Sequence, residues 1–180
     1  MARLPLVPPH TSPELDAVYG EIAAARGKLL NVFQSLGHAP EGLRRMARVG
    51  QYLRFEAGLP PRLRELATQA TAGVNRSQYE WTQHVPLARA AGVTDAEMEA
   101  LAARRMPGGL SVAEQAAVAY AQELAGQRAV TDATFAELRR HFEPRVVTDL
   151  TILVAFYTAL GMCLQALDVE LDPGLTPLLP

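Results

Sequence analysis

A single cysteine, Cys163, stands in a chain of 180 residues. That excludes an internal disulfide framework, a CxxC redox pair and a cysteine-rich zinc site. Flanked by Met162 and Leu164 in an apolar run, Cys163 reads as a small buried hydrophobe. Lysine is nearly absent too: Lys28 is the sole one, and the remaining basic side chains are arginines. With a net charge of −2, there is no basic surplus for counterion-release binding, and no nucleic-acid partner is expected. Met1 to Pro13 is proline-rich without a continuous apolar stretch, so no secretory signal is read there and a cytoplasmic location is expected. No run alternates apolar and polar residues for long enough to argue a strand.

What is present is helical punctuation. Thr11-Ser12-Pro13-Glu14 opens a helix to about Arg26, with Ser at the cap and Pro in the first turn. A short apolar piece, Leu29 to Leu36, ends at Gly37, and Ala39-Pro40-Glu41 starts the next helix. After Leu59-Pro60-Pro61, the positions Leu63, Leu66, Ala67, Ala70 and Val74 trace one helical stripe. A further helix is expected from Ser77 to Ala91. Thr94…Glu97 and Ser111…Glu114 have the capping-box spacing, Thr131 caps another helix and Pro144 begins the last. The expectation is an all-α, single-domain helical bundle over residues 13–170, with an arm at 1–12 and a proline-rich tail at 171–180.

Leu150 to Leu167 carries no charge, near the lower length limit for a membrane span. It holds Thr151, Thr158, Gly161 and Gln165 and is bounded by Asp149 and Asp168. A helix buried in a core or in an oligomer interface fits that pattern better, and no membrane partner is expected.

Residues 65–84 carry the chemistry. Ser77, Glu80 and His84 stand at i, i+3 and i+7, so a helix puts them on one face, with Trp81 on a neighbouring stripe. Ser77 falls near a helix N-terminus, where unpaired N–H groups favour anions. A carboxylate and an imidazole one turn apart can share a proton, and an apolar wall can raise the acid's pKa by desolvation. The same residues have a plainer reading as a solvated Glu–His pair. Glu65 equally reads as a surface partner of Arg62, Tyr79 as a packing residue and Arg76 as a solvated charge. No second histidine stands four residues from His84 and there is no HExxH, so no metal is expected.

The segment resembles the signature of the carboxymuconolactone decarboxylase and alkylhydroperoxidase D superfamily. The peroxidase branch has Glu, eleven residues, CxxC, three residues and His. Here Glu65 is followed by eleven residues, then Ser77-Gln78-Tyr79-Glu80, three residues and His84. The spacing is kept, while Ser77 and Glu80 stand in place of the two cysteines. Glu80-Trp81-Thr82-Gln83-His84 looks like the decarboxylase branch. Leu29-Leu30-Asn31-Val32-Phe33, His38-Ala39-Pro40 and Leu59-Pro60-Pro61-Arg62-Leu63-Arg64-Glu65 extend the likeness upstream.

The resemblance implies an AhpD-like helical bundle that assembles as a dimer, trimer or hexamer. It also implies a cofactor-independent acid–base enzyme acting on a small anionic lactone or carbonyl compound, by decarboxylation with carbon reprotonation. His84 would be the proton donor or base, Glu80 would orient it or share its proton, and Glu65 would be a second carboxylate. Ser77, Tyr79, Trp81, Arg76 and Phe33 are candidates to contact substrate. A thiol peroxidase is not expected, since neither thiol of that cycle is present. A related lyase, isomerase or hydrolase, or a non-catalytic oligomer that binds a small ligand, remain alternatives.

Overall fold

The computed structural model describes residues 2–180. Among them are nine helices and no strand: α1 Pro13–Arg26, α2 Asn31–Ser35, α3 Pro40–Phe55, α4 Pro61–Asn75, α5 Gln78–Ala90, α6 Asp95–Ala102, α7 Val112–Gln127, α8 Asp132–His141 and α9 Pro144–Leu167. The starts follow the local signals. Ser12 accepts a hydrogen bond from Leu15 N–H, both capping boxes form, and Thr131 caps α8. Each supplies a partner to an N–H that the first helical turn leaves unpaired.

Two compact units divide the chain: one up to Ala57 together with Met162–Thr176, the other Gly58–Gly161 together with Pro177–Pro180. In the first unit α1 packs on α3, burying Leu15, Val18, Tyr19 and Ile22 from α1. The expected arm is mostly exposed but pinned around Val7, which is buried, because two of its carbonyls find donors. Tyr19 Oη donates to Val7 O at 2.7 Å and His38 Nε2 lies 2.9 Å from Pro5 O. The early part of the expected tail is tied down as well, with Asn31 N–H donating to Asp172 Oδ1 at 2.8 Å. Phe33 is buried in α2 with the Arg26 guanidinium 5.3 Å above its ring. Cys163 is half-buried and free, less enclosed than its apolar neighbours suggest.

In the second unit α4 is central. It packs on α5, α6 and α7, and α8 packs on α7. The sequence shows one apolar stripe on α4, yet Glu65, Thr68, Gln69 and Thr71 are buried along with it. Neighbours on several sides leave no solvated face. Gly73 permits the closest approach: a Cβ there would lie 2.8 Å from Leu101 O of α6 and 3.3 Å from the Trp81 ring. Arg62 at the start of α4 clamps the unit by pairing with Glu97 at 2.5 Å and Glu114 at 2.7 Å. Residues 177–180, also expected in the tail, lie along α5. Leu178 N–H donates to Thr82 Oγ1 at 3.2 Å, and Leu179 is buried.

Among the described residues α9 alone is long and apolar enough to cross a membrane, and 28% of its most apolar window is buried. Leu150, Leu153 and Val154 face inward, while Ile152, Ala155 and Ala159 are exposed. The core-helix expectation therefore holds for one face of α9 only.

Candidate functional site

The site is built between the facing helices α4 and α5. Arg76 ends α4 in the left-handed conformation, φ 53°, which reverses the chain and lays α5 against α4. The turn brings Glu65, on α4, to His84, on α5: Glu65 Oε2 accepts from His84 Nδ1 at 2.8 Å. Glu65 Oε1 accepts from Arg64 Nε at 3.1 Å. Glu65 is only 2% exposed. Burial pushes its carboxyl up, but the His84 hydrogen bond and charge, with those of Arg64, outweigh it and hold Glu65 below the usual carboxylate range. A carboxylate at Nδ1 keeps a proton there and fixes the ring, which directs proton exchange to Nε2. The ring of Tyr157, from α9, meets His84 edge-on with centroids 5.0 Å apart.

Glu80 sits one turn before His84 on the same helix, 2% exposed. Neither of its oxygens has a hydrogen-bond partner in the protein. Burial raises its pKa to about 8, outweighing the lowering by the nearby Ser77 hydroxyl. Glu80 therefore does not orient His84, the role the sequence suggested for it; Glu65 makes that contact. Sharing a helix face brings Glu80 and His84 near one another in register, but only a group on a second helix meets the Nδ1 edge of the ring. Ser77 is the N-cap of α5, yet its side chain makes no capping bond; it is 1% exposed with its Oγ unpartnered.

The remaining candidates are distributed differently. Tyr79 and Trp81 are buried in α5, with Trp81 packed toward Gly73. Arg76 donates to Pro180 O at 3.0 Å. Phe33 belongs to the first unit. Glu65 is not the partner of Arg62, which pairs with Glu97 and Glu114. Sequence reasoning missed Gly161 of α9, where a Cβ would lie 2.9 Å from Glu80 Oε2 and 3.4 Å from Ser77 Oγ. It missed Tyr157 and Arg64 as well. The one available signal was a glycine within an uncharged helical run, which does not by itself say which helix it meets. No group of three or more His, Cys, Asp or Glu side chains able to hold a metal occurs among the described residues.

Residues 40–123 match the carboxymuconolactone decarboxylase family. No curated protein matches the chain at a significant level. Among solved structures, the AhpD-core, peroxidase-related protein of Ralstonia eutropha JMP134 aligns with a TM-score of 0.81 and 20% identity, covering 96% of this chain and 93% of that one. The debrominase Bmp8 in complex with 2,3,4-tribromopyrrole aligns at 0.78 and 18% identity, covering 96% and 95%. A peroxidase-related protein of a Silicibacter species aligns at 0.78 and 18% identity, covering 96% and 92%. At these identities the structures speak to fold alone. The matched segment resembles that family, and the fold over nearly the whole chain is that of AhpD-like helical proteins.

Proposed function

We propose that the chain is a cofactor-independent acid–base enzyme of the decarboxylase type, acting on a small anionic lactone or carbonyl compound in the cytoplasm. The observation that carries this reading is the Glu65–His84 pair, 2.8 Å apart, with the carboxylate buried and the imidazole part-buried. A carboxylate-held imidazole is the arrangement that general acid–base catalysis needs. In the proposed reaction the substrate carboxylate leaves as carbon dioxide, and the electrons of the broken C–C bond flow into the conjugated carbonyl. The proton on His84 Nε2 then passes to carbon, and solvent reprotonates the ring. The substrate carbonyl is itself the electron sink, so the chemistry asks only for positioned proton donors and acceptors. Bmp8, which shares the fold, holds a small ring compound, and this supports a substrate of similar size. Ser77 and Glu80 offer no thiol for peroxide reduction.

The test is release of carbon dioxide, with deuterium incorporation from heavy water, across a panel of carboxylated lactones and β-keto acids. His84→Ala is expected to lower turnover about 10²–10⁴-fold with its circular dichroism unchanged. Undiminished turnover in a folded His84→Ala would sink the reading. We further propose a homo-oligomer in which the exposed Ile152, Ala155 and Ala159 face of α9 meets a second copy. Light scattering should show more than a monomer for the native chain and a monomer for Ile152→Glu.

A further inference from the structure

We infer that the Ser77 hydroxyl and the Glu80 carboxyl, meeting beneath Gly161 at the first turn of α5, form the subsite for the substrate oxygen on which negative charge develops. This rests on the acid–base reading above and names the part of the substrate the site must hold. Both groups are nine-tenths buried or more; Ser77 Oγ and the two Glu80 oxygens make no well-aligned hydrogen bond with the protein, and the only polar influence on Glu80 is the Ser77 hydroxyl, close enough to lower its pKa slightly. Buried polar atoms left in that state are costly, and a substrate oxygen that accepts from them removes the cost.

Local geometry supports the assignment. Ser12, Thr94, Ser111 and Thr131 are all N-caps whose side chains accept from their own helices. Ser77 occupies the same position and does not, so its hydroxyl is not committed to the fold. The point where a Cβ of residue 161 would stand is 2.9 Å from Glu80 Oε2 and 3.4 Å from Ser77 Oγ. The two side chains thus converge on the same stretch of α9 backbone, and a side chain at position 161 would press on both. The N-terminus of α5 adds the positive end of its dipole.

The chemistry is complementary to the role of His84. With its pKa at about 8, Glu80 carries an O–H at neutral pH, and a buried carboxylic acid can donate to an oxyanion. As the C–C bond to carbon dioxide breaks, its electron pair reaches the carbonyl oxygen. The Ser77 and Glu80 O–H groups donate to that oxygen and keep their protons, while His84 supplies the proton that goes to carbon. Donors aimed at developing charge stabilise it without reorganising.

The test uses para-nitrophenol as an enolate mimic, with absorbance reporting its ionisation on the full-length protein. The native chain should bind the phenolate in preference to the phenol, so that the bound ligand ionises at lower pH than the free one. Ser77→Ala should weaken phenolate binding about tenfold. Glu80→Gln, which keeps a donor, should retain most of it. Gly161→Ala should abolish the shift while remaining folded: its methyl displaces only the mobile end of Glu80, and alanine is a better helix former than glycine. His84→Gln should leave the shift in place. Absence of phenolate preference in the native protein, or a shift that persists in both Ser77→Ala and Gly161→Ala, would overturn the assignment. If the shift behaves as expected but His84→Ala turns over normally, the acid–base reading fails and the subsite stands.

Discussion

Glu65 and Glu80 are equally buried, at 2% exposure each, and their pKa values move in opposite directions. Glu65 points from α4 toward α5 and meets His84 and Arg64. Glu80 lies under Gly161 of α9, a helix that carries no charge from Leu150 to Leu167, and the one group that lowers its pKa is the Ser77 hydroxyl. Burial raises both carboxyls; the partners decide the outcome. One short segment therefore holds a charged carboxylate that fixes a histidine and a neutral carboxyl that can donate, and the difference between them comes from the helix each one faces.

The sharpest test of this contrast is Glu65→Gln. The amide keeps the shape but removes the carboxylate charge that faces His84 Nδ1, so turnover on an identified substrate should fall about 10²-fold or more. A fall confined to KM would break the comparison by making Glu65 a binding group. Steady-state kinetics separates the two.

Glu80→Gln should act on stability. Glu80 has a raised pKa in the folded state, so its contribution is fully present below about pH 4.5 and is lost as pH rises through about 8. Replacing it with an amide removes that loss. Across the interval the variant should gain on the native chain by on the order of 1 kcal/mol per pH unit. Glu65 runs the other way: its pKa is lowered, so its contribution is present above the ordinary carboxylate range and disappears as pH falls below it. Thermal melts over both ranges should show Glu80→Gln changing the neutral side and Glu65→Gln the acid side. Identical profiles would erase the contrast.

Arg64→Ala carries the smallest expected effect. The Arg64–Glu65 contact is 3.1 Å and Arg64 is partly exposed, so its loss should cost under about 1 kcal/mol. Its mark should be an upward move of the Glu65 titration, followed by carboxyl-carbon NMR, with the Glu80 titration unmoved.

Much of the fold was written locally. Ser12, Thr94, Ser111 and Thr131 cap helices where their spacing placed them, because capping needs only neighbours within one turn. The stripe from Leu63 to Ala70 marked the inward face of α4, but the burial of Thr68, Gln69 and Thr71 depends on how many helices surround it, and no single periodicity records that. The proline-rich ends, read as an arm and a tail, carry no helical or strand pattern. They are held by carbonyls and side chains that find donors far along the chain, such as Val7 O with Tyr19 and Asp172 with Asn31.

In the site the division is the same. The sequence by itself determined the spacing of Glu65, Ser77, Glu80 and His84 along α4 and α5. It also determined the helical register that sets Glu80 and His84 a turn apart. Only the tertiary structure decided that His84 belongs to Glu65 and not to Glu80, and that Gly161 and Tyr157 of a distant helix complete the surroundings. The physical reason is range. Helix spacing and capping act over one or two turns, whereas the ionisation of a buried acid depends on charges and dielectric contributed by whichever helices pack against it.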